Sequence, residues 1–310
     1  MRVILAQPRG FCAGVVRAID VVEKALVIYG APLYVRHEIV HNKHVVDSLK
    51  AKGVVFISHL AEAPAGDRPV IFSAHGVAKA VSEEAKARNL LTIDATCPLV
   101  TKVHREAQVH FKRGRKVILI GHVGHPEVVG TTGQLPAGAV TLVRSTAEVE
   151  GLRFDPEAAL AYVTQTTLSV DDTREIVAAL KRRFPHIHAP PLEDICYATT
   201  NRQLAVRAIA AESDLVLVAG SANSSNSRRL VETAERAGTP AYLVDDTGDI
   251  ELGWLAGKST IGITAGASAP PAMVGQIVAA LSGLGRIQVS ERVITTESIR
   301  FGLPKEVRQA

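Results

Sequence analysis

Lys116-Val117-Ile118-Leu119-Ile120-Gly121 runs straight into His122-Val123-Gly124-His125-Pro126-Glu127, and Leu215-Val216-Leu217-Val218-Ala219-Gly220 runs in the same way into the polar residues 221–227. A short continuous apolar run rich in β-branched residues is the pattern of a strand covered on both faces, so both stretches predict buried strands of parallel sheets. Three more strands are predicted to end in small or hydroxylated residues. They are Val70-Ile71-Phe72 before Ser73-Ala74-His75-Gly76, Ala161-Tyr162-Val163 before Thr164-Gln165-Thr166-Thr167, and Thr260-Ile261-Gly262-Ile263 before Thr264-Ala265-Gly266-Ala267-Ser268. In open α/β sheets ligands gather at the carboxyl edges of strands, which makes these loops the place to look for chemistry.

The three cysteines follow one plan. Cys12 comes after Val3-Ile4-Leu5-Ala6, Cys97 after Leu91-Thr92-Ile93, and Cys196 after the weaker Leu192-Glu193-Asp194-Ile195, and each precedes a segment with helical periodicity. A second polar loop follows each cysteine at 29, 28 and 29 residues, at His41, His125 and Ser225. The expected fold is therefore α/β, with three pseudo-repeated α/β domains. The boundaries are an N-terminal strand and first cysteine over 1–12, domains over 13–97, 98–195 and 196–283, and a docked tail over 284–310 that carries a strand near Ile287–Val289.

The chain has 310 residues, 47% of them hydrophobic and 21% charged, ordinary for a soluble globular protein with a sizeable core. Its net charge of +4 is spread along the sequence, and aromatics reach only 4%. Both features favour small anionic ligands over nucleic acid. The apolar start at residues 1–5 is too brief for a secretion signal, and no run is long enough to span a membrane. A cytoplasmic monomer is expected. Three cysteines in a reducing compartment cannot all pair, and none belongs to a Cys-x-x-Cys motif, so spacing alone leaves inert buried thiols open beside metal ligands. Three thiolates on a four-iron cluster would leave one iron without a protein sulfur.

His41, His75 and His125 lie at strand-end positions where imidazoles can donate to phosphate oxygens. The remaining histidines read as structural, with His37, His44 and His122 intermediate. Ser224, Ser225 and Asn226 stand before a helix whose N-terminus favours anions, and Ser268 sits in a similar Gly-containing turn; plain capping is the competing reading. Glu127 follows His125-Pro126 among glycine and apolar residues, where desolvation would keep it protonated near neutral pH. Thr166 and Thr167 could order a substrate or relay a proton, and Asp171-Asp172 and Asp245-Asp246 read as solvated helix starts or turns.

Around the cysteines, Pro8-Arg9-Gly10-Phe11-Cys12-Ala13-Gly14, Asp94-Ala95-Thr96-Cys97-Pro98-Leu99-Val100 and Ile195-Cys196-Tyr197-Ala198-Thr199-Thr200-Asn201 resemble the 4-hydroxy-3-methylbut-2-enyl diphosphate reductases, the IspH/LytB family. So do Ser73–Gly76, Gly124–Glu127, Thr164–Thr167 and Asn223–Ser227. The resemblance covers nearly the whole chain before the tail. It implies three domains around a central 4Fe-4S cluster held by Cys12, Cys97 and Cys196, with the fourth iron open to the substrate hydroxyl. It implies reductive dehydroxylation to the two five-carbon isoprenoid diphosphates, the last step of the methylerythritol phosphate pathway, with electrons from ferredoxin or flavodoxin. Glu127 would deliver protons with Thr166 and His125 assisting, and His41, His75, His125, Thr166, Ser224, Ser225, Asn226 and Ser268 would hold the diphosphate. A cluster-dependent hydro-lyase and an iron-sulfur redox sensor are the alternatives considered.

Overall fold

The computed structural model describes residues 1–64, 66–155 and 157–308, so the last two residues of the tail lie outside it. From the N-terminus come β1 (Arg2–Gln7), α1 (Ala13–Tyr29), β2 (Leu33–Arg36), α2 (Lys43–Ala51), β3 (Val54–Ile57), β4 (Val70–Phe72), α3 (Lys79–Ala87) and β5 (Thr92–Asp94). Next are α4 (Pro98–Lys112), β6 (Lys116–Ile120), α5 (Pro126–Thr132), β7 (Val140–Val143), α6 (Thr146–Gly151), β8 (Leu160–Thr164) and α7 (Val170–Arg183). The last third holds α8 (Tyr197–Ala210), β9 (Leu215–Ala219), α9 (Ser225–Arg236), β10 (Ala241–Val244), α10 (Leu252–Leu255), β11 (Thr260–Ala265), α11 (Pro271–Gly283) and β12 (Gln288–Val293).

These strands form three sheets, ordered β10-β9-β11-β1-β12, β3-β2-β4-β5 and β7-β6-β8, and every pairing in them is parallel. Three parallel sheets fit three α/β domains. By contacts, the chain divides into two compact units. The first comprises Met1–Val15, His41–Ser48 and Tyr197–Arg300; the second comprises Val16–Val40, Leu49–Cys196 and Phe301–Ala310.

The five-stranded sheet belongs to the first unit. Its inner strands β1, β9 and β11 are largely buried apolar runs because both faces are covered, and alternate side chains serve opposite cores. Val3, Leu5, Leu217, Ile261 and Ile263 pack with Ile277 and Leu281 of α11, whereas Ile4, Val216 and Val218 pack with Val206 and Ile209 of α8 and Leu230 of α9. In the second unit, Ile118, Ile120 and Tyr162 meet Ile176 and Leu180 of α7, and Val117, Leu119 and Val163 meet Val103 and Ala107 of α4. A smaller core of Ile57, Val70, Phe72, Ala85 and Leu90 lies against the four-stranded sheet.

Three local expectations change. Leu192–Ile195 is irregular rather than a strand, because the Asp194 carboxylate itself accepts the Thr164 N–H at 2.8 Å, beyond the single bridge that pairs Ala161 with His188. Thr264 and Ala265 belong to β11 rather than to the loop after it. The tail strand is longer than expected and pairs with β1 along its whole length, although all six of its residues are exposed.

Candidate functional site

Each cysteine immediately precedes a helix: Cys12 before α1, Cys97 as the N-cap of α4 with Pro98 in its first turn, and Cys196 before α8. The backbone of each is tied to one strand-end loop. Cys12 N–H donates to Ala267 O at 3.2 Å, Cys97 N–H to Ala74 O at 2.9 Å and Cys196 N–H to Thr166 O at 3.0 Å. Each cysteine thus ties a helix start to a strand-end loop through the same kind of backbone hydrogen bond, although the residues before Cys196 are not a strand. All three thiols are half-buried and none is in a disulfide.

That donor set fits an iron-sulfur group on chemical grounds. Soft thiolates suit iron-sulfur clusters, and a helix N-terminus favours the thiolate over the thiol. Among the described residues no three His, Cys, Asp or Glu side chains are close-set enough to hold a single metal ion.

In the second unit the proton-bearing candidates come together. Glu127 lies in the first turn of α5, 5% exposed, and its carboxylate accepts the Thr166 N–H at 2.9 Å and the Thr166 hydroxyl at 2.9 and 3.0 Å. Burial pushes its pKa up to about 7, against the opposing pull of the two Thr166 donors. His125 caps α5, its Nδ1 accepting the Glu127 N–H at 3.2 Å, and the His75 and His125 rings meet edge to face at 6.0 Å. Ser73 Oγ lies 3.3 Å from His75 Nδ1.

The first unit assembles the Ser/Asn group. Ser224 caps α9, accepting the Ser227 N–H at 3.3 Å, so Ser225 and Asn226 form the first helical turn rather than a loop. Asn226 Oδ1 accepts the Ala267 N–H at 2.8 Å, and its Nδ2 donates to Thr199 Oγ1 at 3.3 Å. Ser268 Oγ lies 3.4 Å from Ser224 Oγ and donates to His41 O at 2.8 Å. Ser268 therefore braces the His41 backbone.

Sequence reasoning passed over several polar residues at these sites. Thr199 holds Asn226; Ser221 accepts the Lys43 N–H at 3.0 Å and donates to Asp245 at 2.6 Å; buried Asn42 caps the turn after His41 by accepting the Val45 N–H at 3.1 Å. Asn42 and Ser221 had a signal, polar residues beside the sharper candidates. Fully buried Arg202 was passed over because a charge on a helix reads as solvated. His104 agrees with its structural reading: it packs against Gly76 and Gly130, and burial pushes its pKa down to about 4. Asp171 and Asp172 lie in the first turn of α7, and Asp246 caps a short 3-10 turn, as expected.

The LytB protein family model matches residues 3–282. The 4-hydroxy-3-methylbut-2-enyl diphosphate reductase of Beijerinckia indica is 58% identical, covering 100% of this chain and 98% of the relative. The protein of the same name from Phenylobacterium zucineum is also 58% identical, covering 98% and 97%. Among solved structures, the E-1-hydroxy-2-methyl-but-2-enyl-4-diphosphate reductase of Plasmodium falciparum superposes with a TM-score of 0.94 at 40% identity, covering 99% of this chain and 96% of that one. From the sequence motifs through the sheets to this full-length similarity, the chain belongs to the LytB family.

Proposed function

We propose that this protein is a 4-hydroxy-3-methylbut-2-enyl diphosphate reductase, forming isopentenyl and dimethylallyl diphosphate in the last step of the methylerythritol phosphate pathway. The reaction breaks the allylic C–O bond, consumes two electrons and two protons, and releases water. Cys12, Cys97 and Cys196 would hold a 4Fe-4S cluster, which when bound supplies single electrons and, at the iron without a cysteine, a position for the substrate hydroxyl. Ferredoxin or flavodoxin is the proposed electron source, and the working form a cytoplasmic monomer.

The observation that carries the reading is the buried Glu127–Thr166 pair. A carboxyl group whose pKa is raised to about 7 keeps a proton to give at neutral pH, and Thr166 Oγ1 is the hydroxyl through which that proton can pass. Thr166 also offers its carbonyl to the Cys196 N–H, so the proton source and one ligand loop share a residue. His125 orients Glu127 through the α5 cap. His41, His75, His125, Ser224, Ser225, Asn226 and Ser268 are proposed to bind the diphosphate, with imidazole, amide, hydroxyl and helix N-terminal donors matched to its oxygens.

Anaerobic purification, iron and sulfide analysis, and product formation with and without a low-potential electron donor test this. Reductant-dependent release of the two isoprenoid diphosphates is expected. Turnover without reductant would point to a hydro-lyase, and a chain that takes up no iron and sulfide would end the cluster reading.

A further inference from the structure

The loop before each cysteine is gripped by one cation, and the three grips follow a rule. Arg17 of α1 donates to Thr96 O at 3.1 Å and Asp94 O at 3.4 Å, just before Cys97. Lys102 of α4 donates to Leu192 O at 2.8 Å and Glu193 O at 3.2 Å and pairs with the buried Asp194 carboxylate at 2.9 Å, just before Cys196. Arg202 of α8 donates to Gly10 O at 3.0 and 2.7 Å and Phe11 O at 3.4 Å, just before Cys12.

Each cation stands five or six residues after one cysteine and serves the loop of another. The order is cyclic: the helix led by Cys12 holds the Cys97 loop, the helix led by Cys97 holds the Cys196 loop, and the helix led by Cys196 holds the Cys12 loop. The environments differ from ordinary surface charge. Arg202 is 1% exposed, with Glu297 at 3.0 Å as counter-ion, and Arg17 is anchored by Gly302 O at 2.8 Å. Binding several carbonyls with one cation fixes the loop's backbone.

We propose that Arg17, Lys102 and Arg202 are positioning residues, one per ligand, that set the backbone carrying each cysteine. This rests on the cluster reading above, so the test has an arm that needs no iron. In full-length chain without iron, the rate of iodoacetamide alkylation is followed at each cysteine by peptide mass for Arg17→Met, Lys102→Met and Arg202→Met. Each variant is expected to change the rate about threefold at its own partner, Cys97, Cys196 or Cys12, and to leave the other two near the parent rate. After reconstitution each is expected to lose iron to a chelator about tenfold faster, with Arg17→Lys and Lys102→Arg restoring most of the loss.

Equal changes at all three cysteines, or none, would overturn the proposal, as would parental iron retention in a variant whose parent holds a cluster. Should Arg202→Met fail to fold, Glu297→Gln removes only the counter-ion and is expected to act on Cys12 alone. A parent chain that takes up no iron retires the cluster reading, and the alkylation pattern still decides the clamps.

Discussion

Glu127 is held in an environment that suits its neutral form, and this has two measurable consequences. The acid that donates a proton must first carry one, so turnover is expected to fall as pH rises through about 7, read from kcat against pH. Replacing the acid by an amide of equal size keeps the Thr166 contacts and removes the proton. Glu127→Gln is therefore expected to keep iron content and substrate affinity while turnover falls by about 100-fold or more. Near-parental turnover would reject the assignment. Stability should move the other way. The folded pKa is raised from 4.5 to about 7, so between these values the unfolded chain ionises first and folding is penalised, up to roughly 3 kcal/mol above pH 7. The glutamine variant escapes this penalty. Its denaturant midpoint should match the parent near pH 4.5 and exceed it increasingly up to pH 7, with a constant gap beyond.

At the scale of elements, β9, β11 and α9 meet at Ser227, and glycine makes the approach possible. A Cβ on Gly266 would collide with Ser227 Oγ and lie 3.0 Å from Ser227 Cβ and 3.3 Å from its Cα, so the helix itself would have to move. Gly266→Ala is expected to cost about 1–3 kcal/mol in denaturant unfolding and to weaken binding of the diphosphate, because Ser227 supports the Ser224 cap. Unchanged values for both would show that the loop adapts. The long strands of these elements were legible because a run apolar at every position has few alternatives to a doubly covered strand. The four-residue strands β2, β3, β7 and β10 were not, since Leu33–Arg36 or Ala241–Val244 is too short for a period to stand out. The Cys, His, Thr/Glu and Ser/Asn loops could be nominated by their place after strands. Arg17, Lys102 and Arg202 could not, because their partners are backbone carbonyls distant in sequence, although their recurrence five or six residues past each cysteine was there to be noticed.

At the scale of the molecule, the tail is the segment whose role is least apparent from composition and most apparent from contacts. Residues 287–300 belong to the first unit, where β12 gives β1 its outer neighbour and Glu297 neutralises Arg202. Residues 301–308 belong to the second, where Gly302 anchors Arg17. Ending the chain at Arg286 would strip one edge of β1 of its hydrogen bonds and leave a fully buried guanidinium without its carboxylate, a loss of about 3–5 kcal/mol for the broken ion pair alone. The truncated protein is expected to unfold roughly 5–10 °C lower in calorimetry. Glu297→Gln in the full-length chain should reproduce part of that drop, since it removes the charge and keeps the strand. If the truncated chain melts with the parent, then β12 is an appendage to the sheet and Arg202 is adequately held by Gly10, Phe11 and Ala198 without its acid.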